Sequence, residues 1–223
     1  MATEDDTRRL YARLANASYV YYRDKSDIEF DGYILVQGLS DNISVVLVNN
    51  NKNEIVLSIR GTDVKNAGDI YSDIAILGNF ITTTDRFRLL SQKCNTLINM
   101  KKRERKIFNI TGHSLGGLLC FELIKKYIND IDNAYLYNIG FGPMQFIDNL
   151  KKRIVCKIVK TRQCREEQEL KKKLHIYVVR GDIVSNLSLV HPSTELRRNI
   201  GSNPHSLENL INGAWLRHIN NLI

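Results

Sequence analysis

The chain has 223 residues, of which 43% are hydrophobic, and it carries a formal net charge of +8. This length and composition predict one domain spanning residues 1–223 and exclude a disordered chain or a bundle of membrane helices. No apolar run approaches the roughly 18 residues that cross a bilayer, and the N-terminal segment lacks the apolar core of a secretion signal, so we expect an intracellular protein.

The predicted elements begin with an amphipathic helix and a set of antiparallel strands. Residues 3–22 place Leu10, Leu14 and Ala17 on one face, with charged residues at the start, a pattern typical of a surface helix. Three short segments with the pattern of strands follow, at 33–36, 43–48 and 54–59. The last two are separated by NNNKN, a composition typical of tight turns, so they are expected to open the sheet as antiparallel strands.

Helices and strands alternate along the rest of the chain. We predict helices at 85–100, 115–128 and 206–219, and strands at 107–111, 134–139 and 174–179. Strands that alternate with helices form a mostly parallel sheet, because each crossover returns the chain to the same edge. The sequence therefore predicts an α/β fold with helices on both faces of the sheet.

The positive charge is concentrated in three runs, at 101–106, 151–153 and 171–173. Such runs form either solvated helix ends and loops, the interpretation we favour, or a surface attracted to anionic lipid or nucleic acid. No aromatic residues interleave the runs and no nucleic-acid motif accompanies them, so no nucleic-acid partner is predicted. Peripheral contact with an anionic membrane surface stays open.

The cysteines and histidines do not predict a metal site. Cys94, Cys120, Cys156 and Cys164 form no C-x-x-C pair, and without an export signal we expect reduced thiols, with a Cys156–Cys164 bridge as the alternative. No cluster of His, Cys and carboxylate residues has the spacing of metal ligands. We therefore expect neither a metal nor an organic cofactor.

One short motif indicates nucleophilic catalysis. Residues 112–116, GHSLG, match G-x-S-x-G and are followed by Gly117. In this motif the serine lies on a sharp strand-to-helix turn, and the glycines remove side chains that would collide with neighbouring backbone. The predicted strand before it and helix after it supply that setting. The alternative is a glycine-rich turn with an incidental serine, and the context favours Ser114 as a nucleophile.

Four further blocks follow a fixed order along the chain: IRGT at 59–62 with Asp73 after it, GFGP at 140–143, IYVVRGDIVS at 176–185, and HS at 205–206. Together with GHSLGG they resemble the blocks of the fungal-type class 3 lipase family, which has the α/β-hydrolase fold. The resemblance implies that IRGT is the oxyanion loop and that residues 63–80 hold a lid or its remnant. The alternative for 63–80 is an ordinary core-packing helix.

The acid and the base are expected after the serine, since α/β-hydrolases carry the three residues in the order Ser, Asp, His. Asp182 follows the predicted strand at 174–179 and is our candidate acid, although it is also typical of a turn. Of the five histidines (His113, His175, His191, His205 and His218), we favour His205, which lies in a loop after Pro204 and before a helix. The side chain of His113 is expected to point away from the serine. The resemblance implies an oxyanion hole from Thr62 and Leu115.

These residues predict a serine esterase or lipase that works through an acyl-enzyme. The resemblance implies acylglycerol or other lipid ester substrates, as in a triacylglycerol lipase, within a wider class of lipid or small esters. Two alternatives stay open: a phospholipase A1 or lysophospholipase with the same chemistry, and a catalytically silent binding or signalling protein that keeps the fold. Nothing in the sequence predicts the oligomeric state.

Overall fold

The computed structural model describes residues 3–62, 80–139, 162–179, 182, 194–197 and 205–212. Several predicted features lie outside the described residues: residues 63–79 of the expected lid, with Asp73, the GFGP block at 140–143, Cys156, residues 183–185, His191 and His218.

Helices and strands alternate through most of the chain. The helices are α1 (Glu4–Asp24), α2 (Asp85–Glu104), α3 (Leu115–Lys126), α4 (Arg162–Lys173) and α5 (Leu207–Asn212). The strands are β1 (Glu29–Phe30), β2 (Tyr33–Leu35), β3 (Ser44–Asn49), β4 (Glu54–Ile59), β5 (Ile107–His113), β6 (Asn133–Tyr137), β7 (Leu174–Val179) and β8 (Thr194–Arg197). Three of these elements, β1, α4 and β8, were not predicted from the sequence.

Helix α1 has clear signals at both ends. Thr3 and Asp6 form a capping box, in which each side chain accepts a hydrogen bond from the other residue's backbone N–H. The box satisfies two N–H groups that have no partner within the helix. At the other end Lys25 adopts a left-handed conformation, with φ 51°, and its N–H bonds to the carbonyl of Tyr21, which ends the helix.

The eight strands of the described residues form a single sheet in chain order, from β1 to β8. Neighbours from β1 to β4 are antiparallel, and those from β4 to β8 are parallel. The antiparallel opening and the parallel remainder were both predicted. The carboxyl ends of β4, β5, β6 and β7 therefore lie at one edge of the sheet, where α/β proteins place their functional residues.

The sheet has an apolar layer on each face. Helices α2 and α3, with Leu170 of α4, pack on one face against residues such as Val46 and Ile55. Helices α1 and α5 pack on the other, against residues such as Val45 and Val56. Successive strand residues point to opposite faces, so a strand buried on both sides is apolar along its whole length. The predicted α/β class, with helices on both faces, is confirmed.

A buried carboxylate lies at the end of the sheet opposite the carboxyl ends of β4 to β7. Glu54, at the start of β4, accepts hydrogen bonds from the hydroxyls of Tyr11 and Tyr33 and from the side-chain amide of Asn109, the last at 2.6 Å. Burial, reinforced by Glu54, raises the pKa of both phenols above their usual range, so they remain donors. The cluster ties α1 to three strands of the sheet.

The cysteines correct one prediction. Cys94 and Cys120 are buried free thiols, but Cys164 is disulfide-bonded, to a partner outside the described residues. The expectation of reduced thiols is therefore wrong for Cys164, for which a bridge was the alternative. The expectation was drawn from the absence of an export signal, whereas the distance between two thiols decides whether they can bond. None of the described helices is long and apolar enough to span a membrane.

Candidate active site

Ser114 lies on the sharp turn that the motif predicts. It follows the last residue of β5 and is the N-cap of α3, with φ 56° and ψ −127°, a conformation that is strained for a residue with a side chain. Its backbone N–H donates to the carbonyl of Tyr137 on β6 at 2.9 Å, which holds the turn against the sheet. The side chain is fully buried, and Oγ makes no hydrogen bond to any described residue.

Close backbone packing explains the glycine after the serine. A β-carbon on Gly116 would lie 2.2 Å from the carbonyl oxygen of Ile59 and 2.8 Å from the carbonyl carbon of Arg60. Both contacts are far shorter than van der Waals separations. Helix α3 therefore meets the end of β4 backbone to backbone. The positive end of the helix dipole points at Ser114, which favours negative charge on the serine or on a group bonded to it.

Asp182 and His205 form a buried pair. The imidazole Nδ1 lies 3.1 and 3.0 Å from the two carboxylate oxygens of Asp182, and the side chains of His205 and Asp182 are 7% and 1% exposed. Since a carboxylate only accepts, Nδ1 carries the proton, and Nε2 is the ring atom able to accept one. The sequence analysis assigned these two residues as acid and base, and the structure brings them together.

Asn138 positions the segment that carries Asp182. This residue follows β6, is fully buried and has φ 46°, which asparagine tolerates better than most residues. Its Oδ1 accepts the N–H of Val179 at 2.9 Å, and its own N–H donates to the carbonyl of Tyr177 at 2.9 Å. The backbone N–H of Asp182 then bonds to the carbonyl of Val179 at 3.1 Å, so Asn138 fixes the end of β7 from which the acid departs.

His113 links the serine turn to the loop of His205. The rings of the two histidines are 4.7 Å apart, and His113 Nε2 lies 2.7 Å from the backbone carbonyl of His205. His113 Nδ1 lies 3.1 Å from the hydroxyl of Tyr19. Both ring nitrogens of His113 are therefore engaged away from Ser114 Oγ, in agreement with the expected direction of its side chain. Burial, reinforced by the neighbouring His205, lowers the pKa of His113 well below its usual range.

The loop after β4 lies directly against the serine turn. A β-carbon on Gly61 would lie 3.3 Å from Ser114 Cβ and 2.5 Å from the His113 carbonyl oxygen. Thr62, one of the two expected oxyanion donors, follows Gly61 and is partly buried. Leu115, the other, is the first residue of α3, where backbone N–H groups have no partner within the helix.

Two arginines brace this loop. The guanidinium of Arg86 on α2 donates to the backbone carbonyl of Arg60. Burial lowers the pKa of Arg86 to about 10, so it stays charged at neutral pH. The Arg60 side chain lies 3.7 Å above the ring of Tyr22, and its Nε donates to the carbonyl of Asn42 at 2.8 Å.

The site also contains residues that sequence reasoning missed. Tyr19, Arg86 and Asn138 act through contacts with residues at least 26 positions away, and no local motif marks them. Conversely His175, a weaker candidate base, lies near the start of β7, where its ring stacks on Tyr135 at 4.7 Å. It is therefore at the far end of the strand from Asp182. No group of three or more potential metal ligands occurs among the described residues.

Comparisons with known proteins show the fold. No family model matches the chain, and no curated protein matches it. Among solved structures, it is similar to the Lip2 lipase of Yarrowia lipolytica, with 21% identity, a TM-score of 0.55, and coverage of 86% of this chain and 77% of that one. It is also similar to the lipase of Rhizopus microsporus var. chinensis, with 14% identity, a TM-score of 0.56, and coverage of 92% and 78%. The predicted α/β-hydrolase fold is confirmed.

Proposed function

We propose that this protein is a serine carboxylic ester hydrolase, with Ser114 as nucleophile, His205 as general base and Asp182 as the carboxylate that orients the imidazole of His205. One observation supports this above all. A buried serine on a strained strand-to-helix turn and a buried aspartate–histidine pair lie at the same edge of the sheet, and His113, the residue before the serine, contacts the backbone of His205. These are the residue types that acyl transfer uses. Ser114 Oγ makes no hydrogen bond to a described residue, so the proposed reaction requires Nε2 of His205 to come within hydrogen-bond distance of it when substrate binds.

In the first half of the reaction, Ser114 Oγ attacks the carbonyl carbon of the ester while its proton passes to Nε2 of His205. The carboxylate of Asp182 accepts a hydrogen bond from Nδ1–H of His205 and would stabilise the imidazolium that forms. The imidazolium then gives its Nε2 proton to the alcohol oxygen as the bond between the acyl carbon and that oxygen breaks. An acyl-serine and a free alcohol result.

In the second half, water attacks the acyl-serine, and His205 takes the proton of that water. Collapse of the second tetrahedral intermediate releases the carboxylic acid and returns the proton to Ser114 Oγ. The oxyanion of both intermediates would be bound by the N–H groups of Leu115 and Thr62, each worth about 3 kcal/mol in the transition state. The reaction requires no metal or organic cofactor.

Lipid esters are the substrate class we propose. Two structural neighbours with the same fold are named lipases, and the net charge of +8 would attract the protein to anionic lipid surfaces. The same chemistry on a phospholipid would make the protein a phospholipase A1 or lysophospholipase. Binding to phosphatidylserine-containing vesicles should weaken as salt is added, whereas phosphatidylcholine vesicles should bind less at every salt concentration. Salt-independent binding would contradict the electrostatic part of the proposal.

Hydrolysis of p-nitrophenyl esters of graded chain length tests the proposed function, with phosphatidylcholine as a second substrate. Ser114→Ala should lose nearly all activity, about 10⁶-fold by analogy with other triads, and Asp182→Asn about 10⁴-fold. Ser26→Ala is the matched control, because Ser26 is exposed and distant in sequence from Ser114, Asp182 and His205. A fluorophosphonate probe should label Ser114 in the wild type, as read by mass spectrometry of the labelled peptide.

Three outcomes would change the proposal. Equal rates for the wild type and Ser114→Ala would favour the silent binding protein. Full activity in Asp182→Asn would remove Asp182 from the assignment. Activity that survives His205→Ala but not His218→Ala would move the base to His218.

A further inference from the structure

Three hydrogen bonds in series join the loop before Thr62 to the loop that carries His205. The backbone N–H of Gly61 donates to the hydroxyl oxygen of Tyr19 at 3.1 Å. The same hydroxyl lies 3.1 Å from Nδ1 of His113. Nε2 of His113 lies 2.7 Å from the backbone carbonyl of His205. Tyr19 belongs to α1, so a helix far from the serine in sequence connects the two loops.

The chemistry of the groups fixes the direction of every proton in this series. The carbonyl of His205 can only accept, so His113 carries its proton on Nε2. A neutral imidazole then has an acceptor at Nδ1, and the hydroxyl proton of Tyr19 points there. The oxygen of Tyr19 keeps a lone pair for the Gly61 N–H. Burial keeps His113 neutral by lowering its pKa, so the arrangement is stable at neutral pH.

The three hydrogen bonds fix two groups that the proposed reaction needs near Ser114: the N–H of Thr62 and the imidazole of His205. The Tyr19 hydroxyl lies so close to Gly61 that a β-carbon there would be 2.4 Å from it, and the orientation of the next peptide bond sets where the Thr62 N–H points. At the other end, the bond from His113 fixes the backbone of His205, while Asp182 fixes its ring. A displacement of about 1 Å in such groups can cost about 100-fold in rate.

We infer that Tyr19 and His113 are positioning residues, which hold the proposed oxyanion loop and the proposed base in a fixed geometry around Ser114. The inference rests on the proposed function. Both residues would help to stabilise the transition state and would not contribute to substrate binding, since neither is expected to touch the acyl chain or the leaving group. Their loss should therefore lower kcat and leave KM nearly unchanged.

The first test is Tyr19→Phe, which keeps the ring and removes the hydroxyl. Its kcat on p-nitrophenyl butyrate should fall about 10- to 100-fold with KM within about two-fold of the wild type. The control is Tyr127→Phe, which also loses one tertiary hydrogen bond, from its hydroxyl to the carbonyl of Ser91 at 3.1 Å. Tyr127 follows the far end of α3, so this variant should keep the wild-type kcat.

A second comparison does not depend on Tyr19→Phe folding. The side-chain amide of a glutamine at position 113 can still donate to the carbonyl of His205, whereas leucine cannot. His113→Gln should therefore retain about ten-fold more kcat than His113→Leu. Equal kcat values for these two variants would count against the role of His113.

NMR of ¹⁵N-histidine-labelled protein gives a readout that is independent of activity. His113 should appear as the neutral Nε2–H tautomer between pH 6 and 8, and its Nδ1 resonance should shift in Tyr19→Phe but not in Tyr127→Phe. An Nδ1–H tautomer, or a wild-type kcat in folded Tyr19→Phe, would overturn the inference. Absence of Ser114-dependent hydrolysis in the wild type would instead refute the proposed function, and the tautomer would still decide whether the three bonds exist.

Discussion

Gly116→Ala is expected to damage both stability and catalysis, although alanine normally favours a helix over glycine. The usual gain is about 1 kcal/mol. Here the new β-carbon would lie 2.2 Å from the carbonyl oxygen of Ile59, whereas ordinary contact begins at 3.4 Å. The backbone must therefore separate by about 1.2 Å, the difference between these two distances. Overpacking of this kind costs about 1–3 kcal/mol, which equals or outweighs the gain in helix propensity.

The same displacement separates Ser114 from the loop that carries Thr62. A shift of about 1 Å in the groups around a reacting atom costs on the order of 100-fold in rate, so kcat/KM for p-nitrophenyl butyrate should fall by about that factor. Urea unfolding should show a net loss of up to about 2 kcal/mol, the cost of overpacking less the gain in helix propensity. Gly38→Ala is the control, because a β-carbon at Gly38 meets nothing within 4 Å; it should change stability by less than about 0.5 kcal/mol. Wild-type kinetics in Gly116→Ala would refute the packing argument.

Two further predictions concern buried polar groups. Glu54→Gln should lower the free energy of unfolding by about 3 kcal/mol, because an amide N–H₂ replaces an oxygen that accepts from three donors. The value of kcat should not change, since Glu54 lies at the end of the sheet opposite Ser114. Glu29→Gln, at an exposed residue, is the control and should have no effect; equal stability of the two variants would contradict the prediction. Burial lowers the pKa of His113, so below about pH 6.5 the unfolded chain binds a proton that the folded chain does not. The free energy of unfolding therefore decreases as the pH is lowered. Between pH 6.5 and 5, His113→Gln should flatten the slope of unfolding free energy against pH by about 1 kcal/mol per unit; parallel slopes for the variant and the wild type would count against a neutral His113.

Local signals were enough to predict most of the sheet. Strands at 54–59 and 107–111 are apolar because both faces are covered, and their observed bounds, Glu54–Ile59 and Ile107–His113, agree closely. The turn after Val48 carries residues that favour tight turns, and the two flanking strands pair as predicted. Strand β1, of two residues, and β8, of four, are too short to show a period in the sequence.

In the candidate site, too, local sequence signals predicted some residues and not others. Ser114 lies within a motif that needs its own strand and helix, so it was predicted from the residues around it. Asp182 and His205 needed the resemblance to a family, because the residues alone left several histidines in competition. Tyr19 and Arg86 could not be predicted, since their contacts join α1 and α2 to segments remote in sequence. A bridge at Cys164 was kept only as an alternative, because sequence spacing does not show whether two thiols lie within bonding distance.

The packing of α1 against α5 has a consequence for synthesis of the chain. Leu14 of α1 and Leu207 and Leu210 of α5 belong to one apolar cluster, and Arg9 donates to the carbonyl of Ile211, 202 positions further on, at 3.3 Å. A ribosome that adds about 5–20 residues per second needs roughly 10–40 s to cover that separation. Throughout that interval the apolar face of α1 lacks the partner that α5 supplies. Nascent chains are therefore expected to expose this apolar surface, and to bind chaperones through it, until the C-terminal segment emerges and packs against α1.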